Sequence, residues 1–431
     1  MFKSIIRITL EWYVKKYFKR HPDVKLVVVT GSVGKTTTKI AIGTVLSEGF
    51  RVRLHEGNYN SEISTPLAIL GIELPDSLRH IGAWLAVFRA ASRRVREPAD
   101  VDVIVQEIGS DRIGQVAHAG TFLHPDIAVV TAVAPEHMEY FGTIENVAKE
   151  ELAAANFSKQ VLINRDDIDG MYAEYVTNPD MSTYGSTRES EYHFVVDGFH
   201  LDSGFEGSFV AKDWDTPTQT TITLIGDHSI RPAVAAGAVA VKLGLTPKQV
   251  ATGLAKVRAV NGRMNVLRGV NGTTIIDDTY NSSPLAATSA LQTLYDIDAT
   301  QKIAVIGDMN ELGDSSADEH KKLGEFCDPN GMTWLITVGP QTEAYVAPIA
   351  KQKGCQVRSF RSPIEAGAFV HRILQSSAVV LFKGSEGGIF LEEAVKVILH
   401  STDDEHRLVR QSAAWMQRKQ QFYDNGFKWP L

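Results

Sequence analysis

The 431-residue sequence predicts an α/β fold built from two successive domains. Short apolar segments alternate with helical segments up to about residue 260, and a second alternation of the same kind follows. The first apolar segment runs into a glycine-containing turn and then a helix, which is typical of a P-loop domain with a parallel sheet. Because 431 residues are too many for one ordinary domain, we expect a second, Rossmann-like α/β domain after it.

The composition is that of a soluble globular protein, with 44% hydrophobic and 22% charged residues and no apolar run long enough to cross a bilayer. A net charge of −7 gives no overall basic field, so nucleic acid is not an expected partner. The two cysteines, Cys327 and Cys355, are too few for a zinc site or a disulfide scaffold. We therefore expect a cytoplasmic protein.

The phosphate-binding turn is the most specific feature of the sequence. Residues 27–39 read VVVTGSVGKTTTK, in which the valines predict a buried strand and Gly31 and Gly34 let backbone amides turn toward an anion. Lys35, at the start of the next helix, is placed to reach the terminal phosphates of a ligand, and the Thr36 hydroxyl to hold Mg²⁺. The strict P-loop has a glycine at the position of Val29. The alternative to a phosphate-binding turn is a chance glycine turn before a helix.

Two further polar side chains follow predicted parallel strands. Glu107 comes just after the strand predicted at 101–105, and His137 comes after the one predicted at 127–131. Ligands bind at the carboxyl ends of strands in such sheets, so we expect both near Lys35, with Glu107 as a partner for nucleotide-bound Mg²⁺. The alternatives are a solvated glutamate at a strand end and a structural histidine.

The loop at 56–66, EGNYNSEISTP, is polar and ends in a proline that begins a helix, so it can lie over a ligand. The other elements of this domain follow from the apolar alternation. We predict helices at 35–49, 144–155 and 232–243, strands at 50–54 and 160–164, and a small side sheet with strands at 192–196, 207–210 and 220–224.

The first 20 residues, MFKSIIRITLEWYVKKYFKR, predict a basic amphipathic helix that forms a segment of its own at 1–23. Its apolar side chains can share one broad face, with the basic groups largely opposite. Two interpretations stay open. The plainer one is that the helix packs on the protein, and the other is that it lies on an anionic membrane surface. No cleavage-site pattern of a signal peptide follows it.

The second alternating region begins near residue 260. We predict strands at 273–277, 302–307, 333–338 and 378–382, and helices at 285–295, 319–326 and 364–375. Lys383 follows the last of these strands, where a lysine can receive a carboxylate. The tail at 405–431 carries too many aromatic side chains to stay apart from the protein, so we expect it to pack back.

Nine short motifs follow one another in the chain: TGSVGKTTTK, EGNYNSEISTP, QEIG, PEHMEYFG, INRDD, NGR, DDTYNSSP, GDMNELG and KGS. On these motifs, which run through about residues 24 to 400, the sequence resembles the Mur ligase family. Folylpolyglutamate synthases share the first motif, but the seventh and eighth favour the cell-wall enzymes. The resemblance implies a central ATP-binding domain at 24–260, a Rossmann-like C-terminal domain at 261–404 and a separate tail at 405–431.

The resemblance implies an ATP-dependent amide ligase. In that chemistry the γ-phosphate of ATP passes to a substrate carboxylate, and an amine then attacks the acyl phosphate to give an amide, ADP and phosphate. The implied substrates are a peptidoglycan precursor and D-alanyl-D-alanine or a similar amino component, and we expect a monomer. The alternatives are a related ligase for another carboxylate, such as one on a lipid carrier, and a catalytically silent nucleotide-binding subunit.

The resemblance also implies roles for particular residues. The phosphates would be bound by the Lys35 ammonium and by the backbone of Gly31, Ser32, Val33, Gly34, Thr36 and Thr37. One Mg²⁺ would be bound by Thr36 and Glu107, and a second with the help of His137. The second domain would contact the nucleotide through Arg263, Asp278, Tyr280 and Asn281. The substrates would be held by Asn58, Asn60, Lys383 and Ser385.

The chain departs from the family in four places. Only the short basic segment precedes Val27, so we do not expect the family's first domain, which grips a uridine nucleotide. The adenine-side motif G-x-H-N-x-x-N reads GDHSIRP at 226–232, and Glu386 stands where close relatives have an arginine. Glu151 aligns with the lysine that the family carbamylates, so we expect it to supply that negative charge. The alternative is that Glu151 faces solvent and Lys149 is the modified residue.

Overall fold

The structure is a computed structural model in which residues 2–55, 57, 59–75 and 80–426 are described. Asn58, one of the predicted substrate-binding residues, lies outside these residues. The chain divides into two compact units. The first comprises Met1–Ala134 and Tyr140–Arg258, and the second comprises Pro135–Glu139 and Ala259–Leu431. The limits of the four segments predicted from the sequence, 1–23, 24–260, 261–404 and 405–431, stay a prediction.

The first unit is organised around one large sheet. Its strands are β1 (Lys25–Thr30), β2 (Val52–Leu54), β3 (Val103–Glu107), β4 (Ile127–Val130), β5 (Gln160–Asn164), β6 (Met181–Gly185), β7 (Tyr192–His200), β8 (Gly204–Ala211) and β9 (Thr218–Ile222). They lie in the order β2-β3-β1-β4-β5-β6-β7-β8-β9. Neighbouring strands are parallel as far as β7, and the pairs β7–β8 and β8–β9 are antiparallel.

The helices alternate with the strands, as the sequence predicts for an α/β chain. Those before residue 260 are α1 (Phe2–Arg20), α2 (Lys35–Leu46), α3 (Ser64–Leu70), α4 (Ile81–Arg96), α5 (Gln115–Ala119), α6 (Met138–Phe141), α7 (Ile144–Asn156), α8 (Ile230–Lys242) and α9 (Pro247–Lys256). Those after it are α10 (Pro284–Asp296), α11 (Ser316–Phe326), α12 (Ala347–Gln352), α13 (Pro363–Ile373), α14 (Glu392–Ile398) and α15 (Ala413–Asp424).

Strand β1 lies inside the sheet because its side chains are apolar on both faces. Val27, Val28 and Val29 are fully buried. β1 pairs with β3 on one side and β4 on the other, so that Val29 is opposite both Glu107 and Val129. The carboxyl ends of three parallel strands therefore meet at one edge of the sheet, where the phosphate-binding turn begins.

The strands predicted as a small side sheet are continuous with the parallel strands. β7, β8 and β9 form an antiparallel extension that joins the rest through β6, with Tyr184 opposite Tyr192. The sequence analysis did not predict β6, because its five residues, MSTYG, contain no apolar run. Tyr184 holds this strand in the sheet, because its side chain is buried and its hydroxyl donates to the carbonyl of Val130.

Helix α1 packs on the first unit. Its side chains Ile6, Leu10, Val14 and Tyr17 are buried, and they contribute to the apolar clusters beneath α3 and α4. The helical prediction for the first 20 residues and the packing interpretation are both confirmed. Among the described residues, no helix combines the length and apolar character that crossing a membrane requires.

The second unit has a six-stranded sheet. Its strands are β10 (Asn265–Arg268), β11 (Thr274–Asp278), β12 (Lys302–Gly307), β13 (Trp334–Val338), β14 (Val357–Phe360) and β15 (Val379–Lys383). They lie in the order β10-β11-β15-β12-β13-β14, with only the β10–β11 pair antiparallel among the described strands. Because β11, β15 and β12 are neighbours, the polar segments that follow them meet at one edge.

The tail packs on the second unit through an aromatic contact and a buried ionic cluster. Phe422 of α15 is buried, and its ring centroid lies 5.4 Å from that of Phe390. Lys419 and Arg410 both bind the buried Glu392 carboxylate, at 2.8 and 2.7 Å. The predicted packing of the tail is confirmed as far as residue 426, and residues 427–431 lie outside the described ones.

Candidate active site

The turn between β1 and α2 has the shape of a phosphate cradle. Gly31 and Gly34 adopt φ angles of +122° and +86°, which side-chain-bearing residues rarely adopt. A Cβ on Gly31 would lie 2.3 Å from the Thr131 hydroxyl and 2.8 Å from the Ala132 nitrogen, so the turn approaches the end of β4 too closely for a side chain. A Cβ on Gly34 would meet nothing within 4 Å, so the turn is open on that side.

Hydrogen bonds from the end of β4 hold this turn in place. The Thr131 hydroxyl is 2.6 Å from the carbonyl of Val33 and 3.0 Å from that of Thr30. The backbone N–H of Ser32 donates to the Ala132 carbonyl at 2.9 Å. Thr131 was not predicted to act here, because a buried threonine at the end of a valine-rich strand has no distinctive sequence signal.

Lys35 lies over the turn to which it belongs. Its ammonium donates to the Gly31 carbonyl at 2.5 Å and approaches the Ser32 carbonyl at 3.4 Å. Lys35 opens α2, whose N-terminus carries the partial positive charge of a helix start, and Thr37 lies in the same first turn. An ammonium and a helix N-terminus at an open glycine turn form an arrangement that suits a nucleotide phosphate.

Glu107 is the centre of a polar cluster beside this turn. It is buried at the end of β3, with its carboxylate 3.0 Å from the Thr36 hydroxyl and 3.3 Å from the Asn60 amide. The buried Lys39 ammonium lies 3.4 Å from the same carboxylate and 3.2 Å from the Gly57 carbonyl. The structure therefore brings Thr36, Glu107 and Asn60 together, and their expected roles stay a prediction.

Lys39 also belongs to this cluster. It lies within the first motif, but no role was predicted for it from the sequence. It lies one helical turn after Lys35, on the inner side of α2, where its charge is paired with Glu107. Its position in the helix is the signal that could have identified it. A lysine buried at that point needs a carboxylate partner, and Glu107 was already predicted at the same edge of the sheet.

The Thr36 hydroxyl and the Glu107 carboxylate fit Mg²⁺, because both are hard oxygen ligands within hydrogen-bond distance of each other. Within the described part of the chain, no group of three or more His, Cys, Asp or Glu side chains could hold a metal ion. The protein thus offers part of a coordination shell, which suits Mg²⁺ that keeps several waters and binds substrate phosphates.

Glu151 lies beneath the phosphate-binding turn. Its side chain is 1% exposed, and one carboxylate oxygen accepts from the Gly31 N–H at 2.7 Å and from the Thr30 hydroxyl. Lys149, in contrast, points outward and pairs with Glu145 at 2.6 Å. The interpretation that Glu151 faces solvent is therefore wrong. Its predicted replacement of a carbamylated lysine stays a prediction.

His137 belongs to the second unit. Its backbone has a φ of +48°, and its imidazole lies 3.2 Å from the Glu311 carboxylate and 3.6 Å from that of Glu136. Both partners are acidic, so the imidazole lies in a negatively charged environment. The expected role of His137 at a second Mg²⁺ stays a prediction.

In the second unit, five of the predicted residues make contacts near the ends of β11 and β15. The Lys383 ammonium is 2.9 Å from the Asp278 carboxylate and donates to the Asn281 carbonyl at 2.5 Å. The Arg263 guanidinium lies over the Tyr280 ring, 4.2 Å from its centroid. Two of the residues expected to contact the nucleotide, Asp278 and Asn281, thus directly contact the lysine expected to contact a substrate.

Ser385 fastens the end of β15 to two neighbouring loops. Its hydroxyl is 3.2 Å from the Ser282 carbonyl and accepts from the Asn310 N–H at 3.0 Å. The Asn310 amide in turn donates to the carbonyls of Glu386 and Gly387. The loops that follow β11, β12 and β15 are therefore tied to one another at this serine.

The altered adenine-side motif is held by ion pairs. Arg231 donates to Asp166 at 3.1 Å and to Asp167 at 2.9 Å, so the GDHSIRP segment is fixed to the INRDD motif that follows β5. Burial raises the pKa of the Asp167 carboxyl, and the Arg231 charge opposes this effect. The arginine thus gives the segment a contact that does not depend on the two absent asparagines.

Asp277 is a buried acid beside the second-unit cluster. Burial raises the pKa of its carboxyl from 3.8 to about 7, although the Thr279 hydroxyl and N–H both donate to it. Near neutral pH the folded protein therefore keeps a proton on Asp277 that the unfolded chain has lost. The free energy of unfolding should consequently fall as the pH rises from about 4 to about 7, by up to ~1.4 kcal/mol per pH unit from this group.

We expect Asp277→Asn to remove this dependence. The urea midpoint of the variant, relative to that of the natural protein, should rise steadily from pH 5 to pH 7. It should then stay constant up to pH 8.5. Asp298→Asn, at an exposed position, is the control and should show no such trend. A difference that is the same at every pH would show that Asp277 is already ionised in the folded protein at pH 5.

Two family profiles match the chain in the same order as the two parts of its fold. Residues 29–240 match the Mur ligase middle domain, and residues 262–386 match the glutamate ligase domain of the Mur ligases. The chain belongs to the Mur ligase family. The family predicted from the nine motifs is therefore confirmed.

Two curated relatives of this Mur ligase carry the same name. The UDP-N-acetylmuramoyl-tripeptide--D-alanyl-D-alanine ligase of Bacillus subtilis (strain 168) is 28% identical over 397 residues, which are 90% of this chain and 78% of the relative. The enzyme of the same name from Escherichia coli (strain K12) is 27% identical over 335 residues, which are 76% of this chain and 67% of the relative. The relatives are ligases, in agreement with the predicted enzyme class.

Solved structures support the fold. MurF from Acinetobacter baumannii superposes with a TM-score of 0.74 at 22% identity, covering 90% of this chain and 80% of that one. The MurF ligase from Thermotoga maritima, solved in complex with ADP, has a TM-score of 0.72 at 23% identity. The match covers 94% of this chain and 85% of that one. The predicted fold class, an ATP-binding α/β domain followed by a Rossmann-like domain, is confirmed.

Proposed function

We propose that this Mur ligase joins a carboxylate to an amine at the expense of ATP. The carboxylate oxygen attacks the γ-phosphorus and ADP leaves. The amine nitrogen then attacks the acyl carbon, phosphate leaves, and the proton lost by the amine passes to solvent. The observation that carries the proposal is the phosphate cradle of the first unit, with Lys35 over the turn and the Thr36–Glu107 pair beside it.

The side chains of the first unit act by binding and by charge. The backbone of residues 31–37 and the Lys35 ammonium would hold the phosphates and offset negative charge as it builds up on them. Thr36 and Glu107 are the ligands we assign to Mg²⁺, which neutralises phosphate charge when bound. Lys39 pairs with the Glu107 carboxylate and balances its negative charge. Asn60, beside Glu107, would hold the acceptor.

The second unit supplies the remaining proposed contacts. Arg263, Asp278, Tyr280 and Asn281 would contact the nucleotide, and His137 would help to hold a second Mg²⁺. Lys383 and Ser385 would contact the amino component. In the structure Lys383 is engaged by Asp278 and by the Asn281 carbonyl, so its direct action on a substrate requires a change of partner. Asn58 keeps its proposed role at the acceptor.

For the substrates, we propose a peptidoglycan precursor as the carboxylate and D-alanyl-D-alanine or a similar component as the amine. The names of the relatives support this choice, because both of those described act on UDP-N-acetylmuramoyl-tripeptide and D-alanyl-D-alanine according to their names. We place the reaction in the cytoplasm and expect the protein to act as a monomer. Glu386, which follows the KGS motif, is the position at which the preference for the amine would differ from the relatives.

The test is phosphate release with ATP and Mg²⁺, measured over a panel of muramyl peptides, amino acids and dipeptides. We expect release that requires both a muramyl tripeptide and D-alanyl-D-alanine, with the amide product seen by mass spectrometry. Release with another carboxylate would support the related ligase with a different acceptor. If ADP binds but no member of the panel stimulates phosphate release, the chain is a silent nucleotide-binding subunit and the proposal is wrong.

A further inference from the structure

Helix α1 has a second apolar face that packing does not explain. Its inner face is buried, but on the opposite side Ile5, Ile8 and Trp12 are 56, 58 and 47% exposed. Successive residues of an α-helix are 100° apart, so these three lie within about 60° of one another and point away from Leu10 and Val14. A helix that only packs on its own protein has polar residues there.

Helix α4 continues the same exposed surface. Ile81 and Leu85 in its first half are 65 and 50% exposed. Aromatic side chains connect the two helices. Tyr13 of α1 stacks on Phe88 of α4 with ring centroids 6.4 Å apart, and Trp12 lies edge-on to Tyr13 with centroids 4.8 Å apart. We call the outer side of α1 and α4 the α1–α4 face. Its exposed apolar residues are Phe2, Ile5, Ile8, Trp12, Ile81 and Leu85.

The second half of both helices is basic on this face. The exposed basic residues there are Lys15, Lys16, Lys19 and Arg20 of α1, with Arg89 and Arg96 of α4. The two ends lie close together, because Arg53 approaches the Tyr17 ring and shares the Asp100 carboxylate with Arg94. The face therefore has an apolar half and a basic half.

Acidic side chains are scarce on these helices, which together hold ten of the chain's 44 lysines and arginines and one of its 51 acidic residues. That acid, Glu11, is turned inward and is engaged by Arg7 and His118 at 3.2 and 2.8 Å. The nearest acid beyond α4, Glu97, makes an exposed pair with Arg93. The face is thus strongly positive in a protein whose net charge is −7.

We propose that the α1–α4 face docks on the surface of an anionic lipid bilayer. Exposed isoleucine, leucine and tryptophan beside lysine and arginine are what a helix lying in the interface needs, with the apolar groups among the acyl chains and the cations at the headgroups. A symmetric contact with a second copy of the chain would bring two such positive faces together, which charge repulsion opposes. Neither helix crosses the bilayer. Both lie along it, with the core packing of the first unit unchanged.

Co-sedimentation of the full chain with vesicles tests this inference. We expect binding to vesicles of 3:1 phosphatidylcholine and phosphatidylglycerol at 100 mM salt, a strong loss of binding at 500 mM salt, and little binding to phosphatidylcholine alone. Lys15→Gln/Lys19→Gln should bind the anionic vesicles at least tenfold more weakly, because each basic residue near the surface adds to the attraction. Ile8→Ser should weaken binding as well, since it removes an apolar group from the interface.

Lys248→Gln/Lys351→Gln removes the same charge from exposed positions elsewhere and is the matched control. Its vesicle binding should equal that of the natural protein. Circular dichroism should give the same thermal midpoint for all variants, since the changed side chains are exposed. Equal losses in both double variants, equal binding to neutral and anionic vesicles, or no binding to either would overturn the inference. So would self-association, or capture of an acidic protein, that Ile8→Ser abolishes while vesicle binding persists.

Discussion

Lys35→Ala should abolish phosphate release while leaving the protein folded. The ammonium lies over the glycine turn, where it contacts the Gly31 and Ser32 carbonyls and makes no part of the apolar core. Its removal takes away a charge placed where the transferred phosphate develops negative charge in the transition state. We expect turnover to fall by about 10³-fold or more, which corresponds to about 4 kcal/mol of lost transition-state stabilisation.

The measurement is ADP formation that depends on the carboxylate and amine substrates, at saturating ATP and Mg²⁺. Lys149→Ala is the matched control, because it removes an exposed lysine from a helix of the same unit without touching the turn. The thermal midpoints of both variants should stay close to that of the natural protein. Activity of Lys35→Ala within tenfold of the natural protein would show that the phosphates are bound elsewhere.

Most of the phosphate-binding turn could be predicted from the sequence. The strand, the turn and the helix were predictable because three local signals coincide there: consecutive valines, two glycines that need positive φ angles, and a lysine opening a helix. Glu107 was predictable because it ends a neighbouring parallel strand. Each of these inferences depends on the local sequence and on one general rule of sheet topology.

The side chains that the sequence analysis missed depend on partners far along the chain. Thr131 completes the turn, yet it has an ordinary local context. Lys39 could be identified only through Glu107, its partner at the same edge of the sheet. Lys419 also lacks a local signal, because its buried charge is balanced by Glu392 and Glu393, which lie beside it. Such pairs are set by tertiary packing, and no local pattern of charge or hydropathy identifies them in advance.

The role of Glu151 depends on the charge that it brings to the phosphate-binding turn. On the resemblance to the family, Glu151 stands where a lysine is carbamylated, a modification that turns a cationic side chain into an anion. A glutamate carries that charge permanently and needs no carbon dioxide. Its carboxylate accepts from the Gly31 N–H and the Thr30 hydroxyl, which fixes it directly under the turn. We infer that it acts on the metal site through this position, as residues that orient metal ligands commonly do.

Glu151→Gln preserves the size and one acceptor oxygen of the side chain but removes its charge. If the charge serves the metal site, turnover should fall by about 10- to 100-fold, and more Mg²⁺ should be needed for half-maximal activity. The neighbouring Glu150 is an informative control. It is also buried, but it accepts from the Ser110 hydroxyl and from the N–H groups of Gly114 and Val116. Glu150→Gln should therefore lower the thermal midpoint without changing the Mg²⁺ dependence.

A substitution at Lys149 distinguishes the two assignments, in which either Glu151 or Lys149 stands at the position of the carbamylated lysine. Its ammonium is exposed and paired with Glu145, so Lys149→Ala should be nearly as active as the natural protein, and added bicarbonate should change neither enzyme. A Lys149→Ala enzyme that is inactive but recovers with short carboxylic acids would place the modified lysine there after all. An unchanged Mg²⁺ dependence in Glu151→Gln would instead confine Glu151 to holding the turn, since a purely structural contact with Gly31 and Thr30 would alter stability and leave the metal requirement as it was.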